Sequence, residues 1–89
     1  MLRLRISRQF KKDLRKAKKQ GQAIDDLEAI VNALQHGQAL EAKHRDHTLT
    51  GNWKDHRECH VAPDWLLIYK VTEDELRLAR VGSHAELFG

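Results

Sequence analysis

Arg57-Glu58-Cys59-His60-Val61-Ala62-Pro63-Asp64-Trp65-Leu66-Leu67-Ile68-Tyr69 is the stretch on which the fold of this 89-residue chain turns. Its second half, Trp65 to Tyr69, is an unbroken apolar run, which predicts a central strand over 65–71 buried on both faces. Its first half mixes polar and apolar residues. Neighbours two apart on a strand share a face, so His56, Glu58 and His60 point one way and Arg57 and Cys59 the other. This predicts a strand from Trp53 to about residues 59–61, joined to the next by a turn at Ala62-Pro63-Asp64. Thr72-Glu73-Asp74-Glu75 makes a further turn, and Leu76 to Val81 is a third strand.

Working toward the N-terminus, Leu2, Leu4 and Ile6 alternate with Arg3, Arg5 and Ser7, which predicts a first strand with one buried face. Ser7 is placed to cap a helix over about 8–20, on which Phe10, Leu14 and Ala17 recur at i, i+4 and i+7. Gly21 breaks that helix. A second, from about Asp25 to Gln35, carries Leu27, Ile30, Val31 and Leu34 on one side. Asp25, Asp26 and Glu28 lie near its N-terminus, where the helix dipole favours negative charge. Gly37 ends it, and the polar region 38–50 reads as a loop long enough to suspect of function. The expected architecture is α+β: an N-terminal strand, a two-helix hairpin, then an antiparallel three-stranded meander. The helices pack on one face of the sheet, in a single domain spanning 1–89.

Charge is unevenly placed. Residues 1–20 hold nine Lys or Arg against Asp13 alone, a local net of +8. Residues 21–89 carry a net of −5, giving +3 for the whole chain. A concentrated positive patch of this kind attracts polyanions through phosphate contacts that weaken with salt, unless it is only a solvated helix face. No apolar run approaches the roughly 18 residues of a membrane span, and the alternating N-terminus has no signal-peptide core. The lone cysteine, Cys59, has no internal partner, which fits a reducing cytoplasm, and it reads as a small buried hydrophobe.

Three histidines, His47, His60 and His84, together with Asp64 and Arg80, lie on strands and loops that can converge. Such a set suits RNA cleavage in place. That reaction needs a base for the ribose 2′-OH, an acid for the leaving 5′-oxygen and a cation for the charge growing on phosphate. Histidine can fill either proton-transfer role near neutrality. Arg80 offers a forked, permanent cation, unless it is spent on Glu73, Glu75 or Glu86. Trp65 and Phe88 offer faces on which a base can stack, although Trp53 and Trp65 flank core strands and suit packing equally well. His36, His44 and His56 read as surface or satisfied core residues. Zinc bound by His56 and His60 with His44, His47 or Asp64 is the rival chemistry. Its spacing is loose and no cysteine pair supports it, so no metal or cofactor is assigned.

Three ordered blocks carry a family resemblance: Asp46-His47-x-Leu49-x-Gly51-x-Trp53, then Arg57-x-x-His60-x-x-Pro63-Asp64-Trp65-Leu66-Leu67-Ile68-Tyr69, then Arg80-x-Gly82-Ser83-His84-x-x-Leu87-Phe88. Together they resemble the YafQ branch of the RelE/ParE toxin superfamily. The resemblance implies the toxin of a type II toxin–antitoxin pair, a metal-independent endoribonuclease that cuts messenger RNA in the ribosomal A site. By position, His47, His60, Asp64 and His84 match the acid–base set, with His84 the principal proton-transfer residue. Arg80 matches the phosphate-contacting arginine, and Trp65 and Phe88 match positions tied to substrate placement. Lys11, Lys12, Arg15, Lys16, Lys18 and Lys19 would then face ribosomal RNA. The implied partners are an antitoxin protein, the ribosome and messenger RNA, with operator DNA reached through the antitoxin and no membrane. Glu58 stands where relatives often have Asp and is expected to lie off the site, and the 38–45 loop departs from the family pattern. A gyrase inhibitor of the ParE type, or a module that only binds its antitoxin, is the alternative.

Overall fold

The computed structural model of the protein describes residues 1–89. Its elements are β1 (Arg3–Ile6), α1 (Arg8–Lys19), α2 (Ile24–Gln35), β2 (His47–Thr48), β3 (Arg57–Ala62), β4 (Trp65–Val71), β5 (Glu75–Gly82) and α3 (His84–Phe88), with 3₁₀ turns at Ala42–His44 and Gly51–Trp53. The strands form one sheet in the order β1-β5-β4-β3-β2, so the apolar run occupies the middle position. The β3-β4-β5 meander is antiparallel as expected, and β1 joins its edge parallel to β5.

Both faces of β4 are covered, but by different things. Trp65, Leu67 and Tyr69 meet Phe10, Ala17, Leu27, Ile30 and Leu34 of the helical hairpin, with Cys59 and Val61 of β3 and Leu76, Leu78 and Val81 of β5. Leu66 and Ile68 face the other way, into a small cluster with Leu87, Leu49, Trp53 and Ala79. Removing each Leu or Ile side chain from water contributes about 1.5–3 kcal/mol, and the alternation of β4 spends that driving force on both sides.

Local chemistry explains the helix boundaries. The Ser7 hydroxyl accepts from the Phe10 N–H at 2.9 Å, capping α1, and donates to the Ala79 carbonyl at 2.8 Å, which ties the helix start to β5. Gly21 and Gly37 take the left-handed conformations (φ 75° and 69°) that end the two helices.

Three expectations need correction, and one element was not anticipated. The strand expected from Trp53 begins only at Arg57, because Asp55 adopts φ 70° and Gly51–Trp53 coils into a 3₁₀ turn. The region expected to be a loop contributes β2, which pairs His47 with Glu58 and Thr48 with Arg57. The first strand does not bury a face: as an edge strand it leaves Leu4 and Ile6 exposed, and Leu2, just before it, does the packing. The chain also ends in a short helix, α3. Ser83 and Glu86 build a reciprocal capping box there, a pattern already written in Ser83-His84-Ala85-Glu86.

Candidate active site

The site lies on the face of the sheet away from the helical hairpin, and strand alternation selects its residues. On β3, Cys59 and Val61 go into the main core while Glu58 and His60 project to the opposite side, paired with Ile68 and Leu66 of β4. His47 arrives from β2 directly opposite Glu58. Its neighbour Asp46 is the anchor. Asp46 accepts the Tyr69 hydroxyl at 2.6 Å and the Arg57 Nε–H at 3.1 Å, so the loop is pinned where β2 begins. The Nδ1–H of His47 donates to the Arg45 carbonyl at 2.6 Å, since a carbonyl can only accept. That leaves Nε2 of His47 turned toward Glu58 Oε1 at 3.7 Å, and Nε2 of His60 stands at the same 3.7 Å.

His84 closes the ring from the far end of the sheet. Pro63-Asp64 is a tight turn in which Pro63 presets φ and Asp64 takes the left-handed region at φ 55°. There the Asp64 carboxylate accepts both the backbone N–H and the Nδ1–H of His84, each at 3.0 Å. These bonds hold the Asp64 carboxyl below the usual carboxylate range, so it is ionised at neutral pH and acts only as an acceptor. Nδ1 of His84 must therefore carry its proton, and Nε2 is the atom free to exchange one. The His60 and His84 rings meet edge-on with centroids 5.8 Å apart, and Phe88 lies 6.3 Å beyond His84. Gly82 serves by its size, for a Cβ there would come within 3.2 Å of the Glu86 carboxylate and 3.3 Å of Leu87.

Of the residues expected in the site, the structure brings together His47, His60, Asp64, His84 and Phe88. Glu58, expected off the site, stands at its centre with a side chain that is 5% exposed. A carboxylate so placed is costly unless polar groups surround it, and Nε2 of His47 and Nε2 of His60 both face it. The missed signal was the alternation itself, which already put Glu58 on the face of His60. Burial is the main influence on His60 and holds its pKa below 6.5, against the pull of Glu58 and together with the neighbouring Arg45, His84 and His47. His60 is therefore neutral at physiological pH. Donor atoms of Glu58, His60 and His84 lie within 4.8 Å of one another, a set that a divalent ion could share.

Trp65 is corrected outright as a stacking surface. It is 2% exposed, packed into the helix-side core, whereas Phe88 is 46% exposed beside His84 and offers its ring. Arg80 does not pair with Glu73, Glu75 or Glu86 but with Asp13 of α1. Lys16 is also diverted, forming an ion pair with Glu86 of α3. Lys11, Lys12, Arg15, Lys18 and Lys19 are exposed and make no ion pair. His44, read as a bystander, uses its Nδ1–H to bond the His60 carbonyl at 2.7 Å. A groove of about 900 Å³, lined in part by Lys43, Arg45 and Pro63, runs up to His60 and Asp64.

Comparison with known proteins places this geometry. A family model described as the bacterial toxin of type II toxin–antitoxin system, YafQ, matches residues 2–89. The mRNA interferase toxin YafQ of Escherichia coli K12 is 41% identical over 87 residues, spanning 97% of this chain and 95% of that protein. A copper-bound mutant toxin from Helicobacter pylori superposes with a TM-score of 0.95 at 42% identity, covering 99% of this chain and all of the other. The toxin of the E. coli DinJ-YafQ toxin-antitoxin complex superposes with a TM-score of 0.91 at 41% identity over the full length of both chains. No helix here is long and apolar enough to cross a membrane. With a family model covering nearly every residue and relatives matched end to end, the chain belongs to the YafQ family of type II toxin–antitoxin toxins.

Proposed function

We propose that this protein is a ribosome-dependent messenger-RNA endoribonuclease that arrests translation in the cytoplasm, with residues 1–89 as its one toxin domain. The observation that carries this reading is the convergence of three imidazoles on Glu58, with Asp64 fixing the proton on one side of His84. Neutral His60 supplies the lone pair that takes the 2′-OH proton, and Glu58 stabilises the imidazolium that results. The freed 2′-oxygen attacks phosphorus, and the bond to the 5′-oxygen breaks as His84 Nε2 delivers a proton to it. A 2′,3′-cyclic phosphate and a 5′-hydroxyl are left. His47 turns its Nε2 toward Glu58 and helps to wall the site, Arg80 meets the growing phosphate charge, and exposed Phe88 receives a base.

The exposure of His84 and Asp64 supports a requirement for the ribosome, since holding reactants in line is a large part of any such rate and the ribosome would hold the messenger. Lys11, Lys12, Arg15, Lys18 and Lys19 are the contacts to ribosomal RNA. Its partner in the resting cell is a cognate antitoxin, by analogy with the E. coli relative crystallised with DinJ. Acidic and apolar antitoxin segments would cover the basic helix and the site, and the complex would reach operator DNA through the antitoxin. The chemistry needs no resident metal. A copper ion, as in the H. pylori relative, would take the lone pairs of His60 and His84 and so compete with proton transfer. Added Cu²⁺ is therefore expected to inhibit, and toxin freed of metal by a chelator that is removed before the assay to cut at an unchanged rate.

The test is primer extension on a defined messenger with purified toxin, with and without programmed ribosomes. Cuts within the reading frame only when ribosomes are present are expected. No cutting in either case, or inhibition of gyrase supercoiling instead, would overturn the ribonuclease reading.

A further inference from the structure

The single acidic residue in the basic N-terminal segment is not a random dilution of charge. Gln9, Asp13 and Lys16 fall at i, i+4 and i+7 on α1, beside the Phe10–Ala17 stripe that enters the core, and each meets a side-chain partner. Asp13 accepts the Arg80 Nε–H at 2.9 Å and an Nη2–H at 3.0 Å, a two-point grip on the guanidinium. Its Oδ2 also accepts the backbone N–H of Val81 at 3.2 Å, which locks the carboxylate to β5 itself. Gln9 donates to its other oxygen at 3.1 Å. The Asp13 side chain is only 9% exposed. The chain's most cationic helix thus carries one buried carboxylate, and its main partner is Arg80.

We propose, on the ribonuclease reading above, that Asp13 is a positioning residue that acts through Arg80. An arginine has four rotatable side-chain bonds and five N–H donors, and here two donors are spent on Asp13. The remaining three, on Nη1 and the outer side of Nη2, are presented as a fixed edge. A fixed edge aligned to a phosphate contributes most when charge peaks in the transition state, because no reorganisation is then needed. The carboxylate has the opposite effect on ground-state binding, since it offsets part of the guanidinium charge that attracts RNA. Losing Asp13 should therefore slow the chemical step without weakening capture of the messenger-bearing ribosome.

The experiment is single-turnover cleavage on programmed ribosomes by wild type, Asp13→Asn, Arg80→Ala and the double variant, with toxin concentration varied. Asp13→Asn is expected to lower the maximal rate by about 10- to 100-fold. Its half-saturating concentration should stay equal to or below that of the wild type. In the Arg80→Ala background Asp13→Asn should cost nothing more, because the residue it positions is gone. The ¹⁵Nε–H signal of Arg80, slow to exchange in the wild type, should exchange freely in Asp13→Asn, and thermal unfolding reports whether that variant folds. An Asp13→Asn protein that folds and cuts at the wild-type rate would overturn the proposal. So would losses that multiply in the double variant, or a variant whose only defect is a lower folded fraction. A wild type that leaves messenger intact on ribosomes would instead overturn the ribonuclease reading, whatever the Arg80 signal shows.

Discussion

The two faces of the sheet are built from the same strands and differ sharply in what they carry. On the helix side, thirteen buried apolar residues close a continuous core. On the other side the buried apolar cluster is only Leu66, Ile68 and Leu87, and beside it stand buried Glu58 and the more accessible His47, His60, Asp64 and His84. Adjacent residues on β3 point to different faces: Cys59, whose thiol burial pushes up to about 12 and so renders inert, lies in the core, while Glu58 and His60 take the face to which the proposed function assigns the chemistry. Stability and reactivity can thus be separated by one residue of register. Substitutions on the two faces should fail in different assays.

The largest effect is expected at His84. His84→Ala should lower cleavage on the order of 10²–10⁴-fold, as loss of a proton-transfer group does, with an unchanged thermal midpoint. It would also relieve growth arrest in cells. On the opposite face, Trp65→Ala should destabilise the protein by about 3–5 kcal/mol by denaturant titration, for it empties a large core volume. Phe88→Ala, by contrast, should slow cleavage and leave stability alone. If Trp65→Ala folded normally and lost only cleavage, the assignment of that ring to the core would be wrong.

A smaller effect concerns acid. Burial alone would raise the Asp13 carboxyl, but hydrogen bonds from Arg80, Gln9 and Val81 outweigh it, and the carboxyl lies below its ordinary 3.8. A carboxylate lowered on folding contributes stability at neutral pH that is lost as pH falls through 3.8 and on through the folded value. The stability gap between wild type and Asp13→Asn should therefore be full above about pH 5 and close in stronger acid. A gap independent of pH would contradict it. The smallest effect belongs to the exposed cations. Lys12→Ala should weaken ribosome binding a few-fold and reduce its salt dependence by about one phosphate contact.

Much of this architecture was legible from the sequence. The Trp65–Tyr69 run announced a doubly buried strand, Ser7 announced a helix cap, and Pro63-Asp64 announced the turn that presents Asp64. The histidines and Phe88 were legible through ordered blocks at family spacing. What was not legible depended on partners distant in the chain. Asp13 and Arg80 are 67 residues apart, and no local pattern joins them. Trp65 carries the same side chain whether it faces a core or a substrate, and only the packing of α1 and α2 decides. Glu58 was misjudged for a different reason. Its face was known, but a buried carboxylate is credible only once the surrounding imidazoles are seen to converge. β2 is two residues long, too short for any periodicity to show.

The most direct measurement compares neighbours on β3. Glu58→Gln and Cys59→Ala change adjacent side chains on opposite faces, and each can be assayed for thermal unfolding and for ribosome-dependent cleavage. Glu58→Gln is expected to unfold at or above the wild-type temperature, because a buried charge is removed, while losing cleavage at least about 10-fold. Cys59→Ala is expected to unfold earlier and, below its transition, to cut at the wild-type rate. Parallel losses of stability and cleavage in both variants, or a Glu58→Gln protein that cuts normally, would contradict a sheet with one face for folding and one for chemistry.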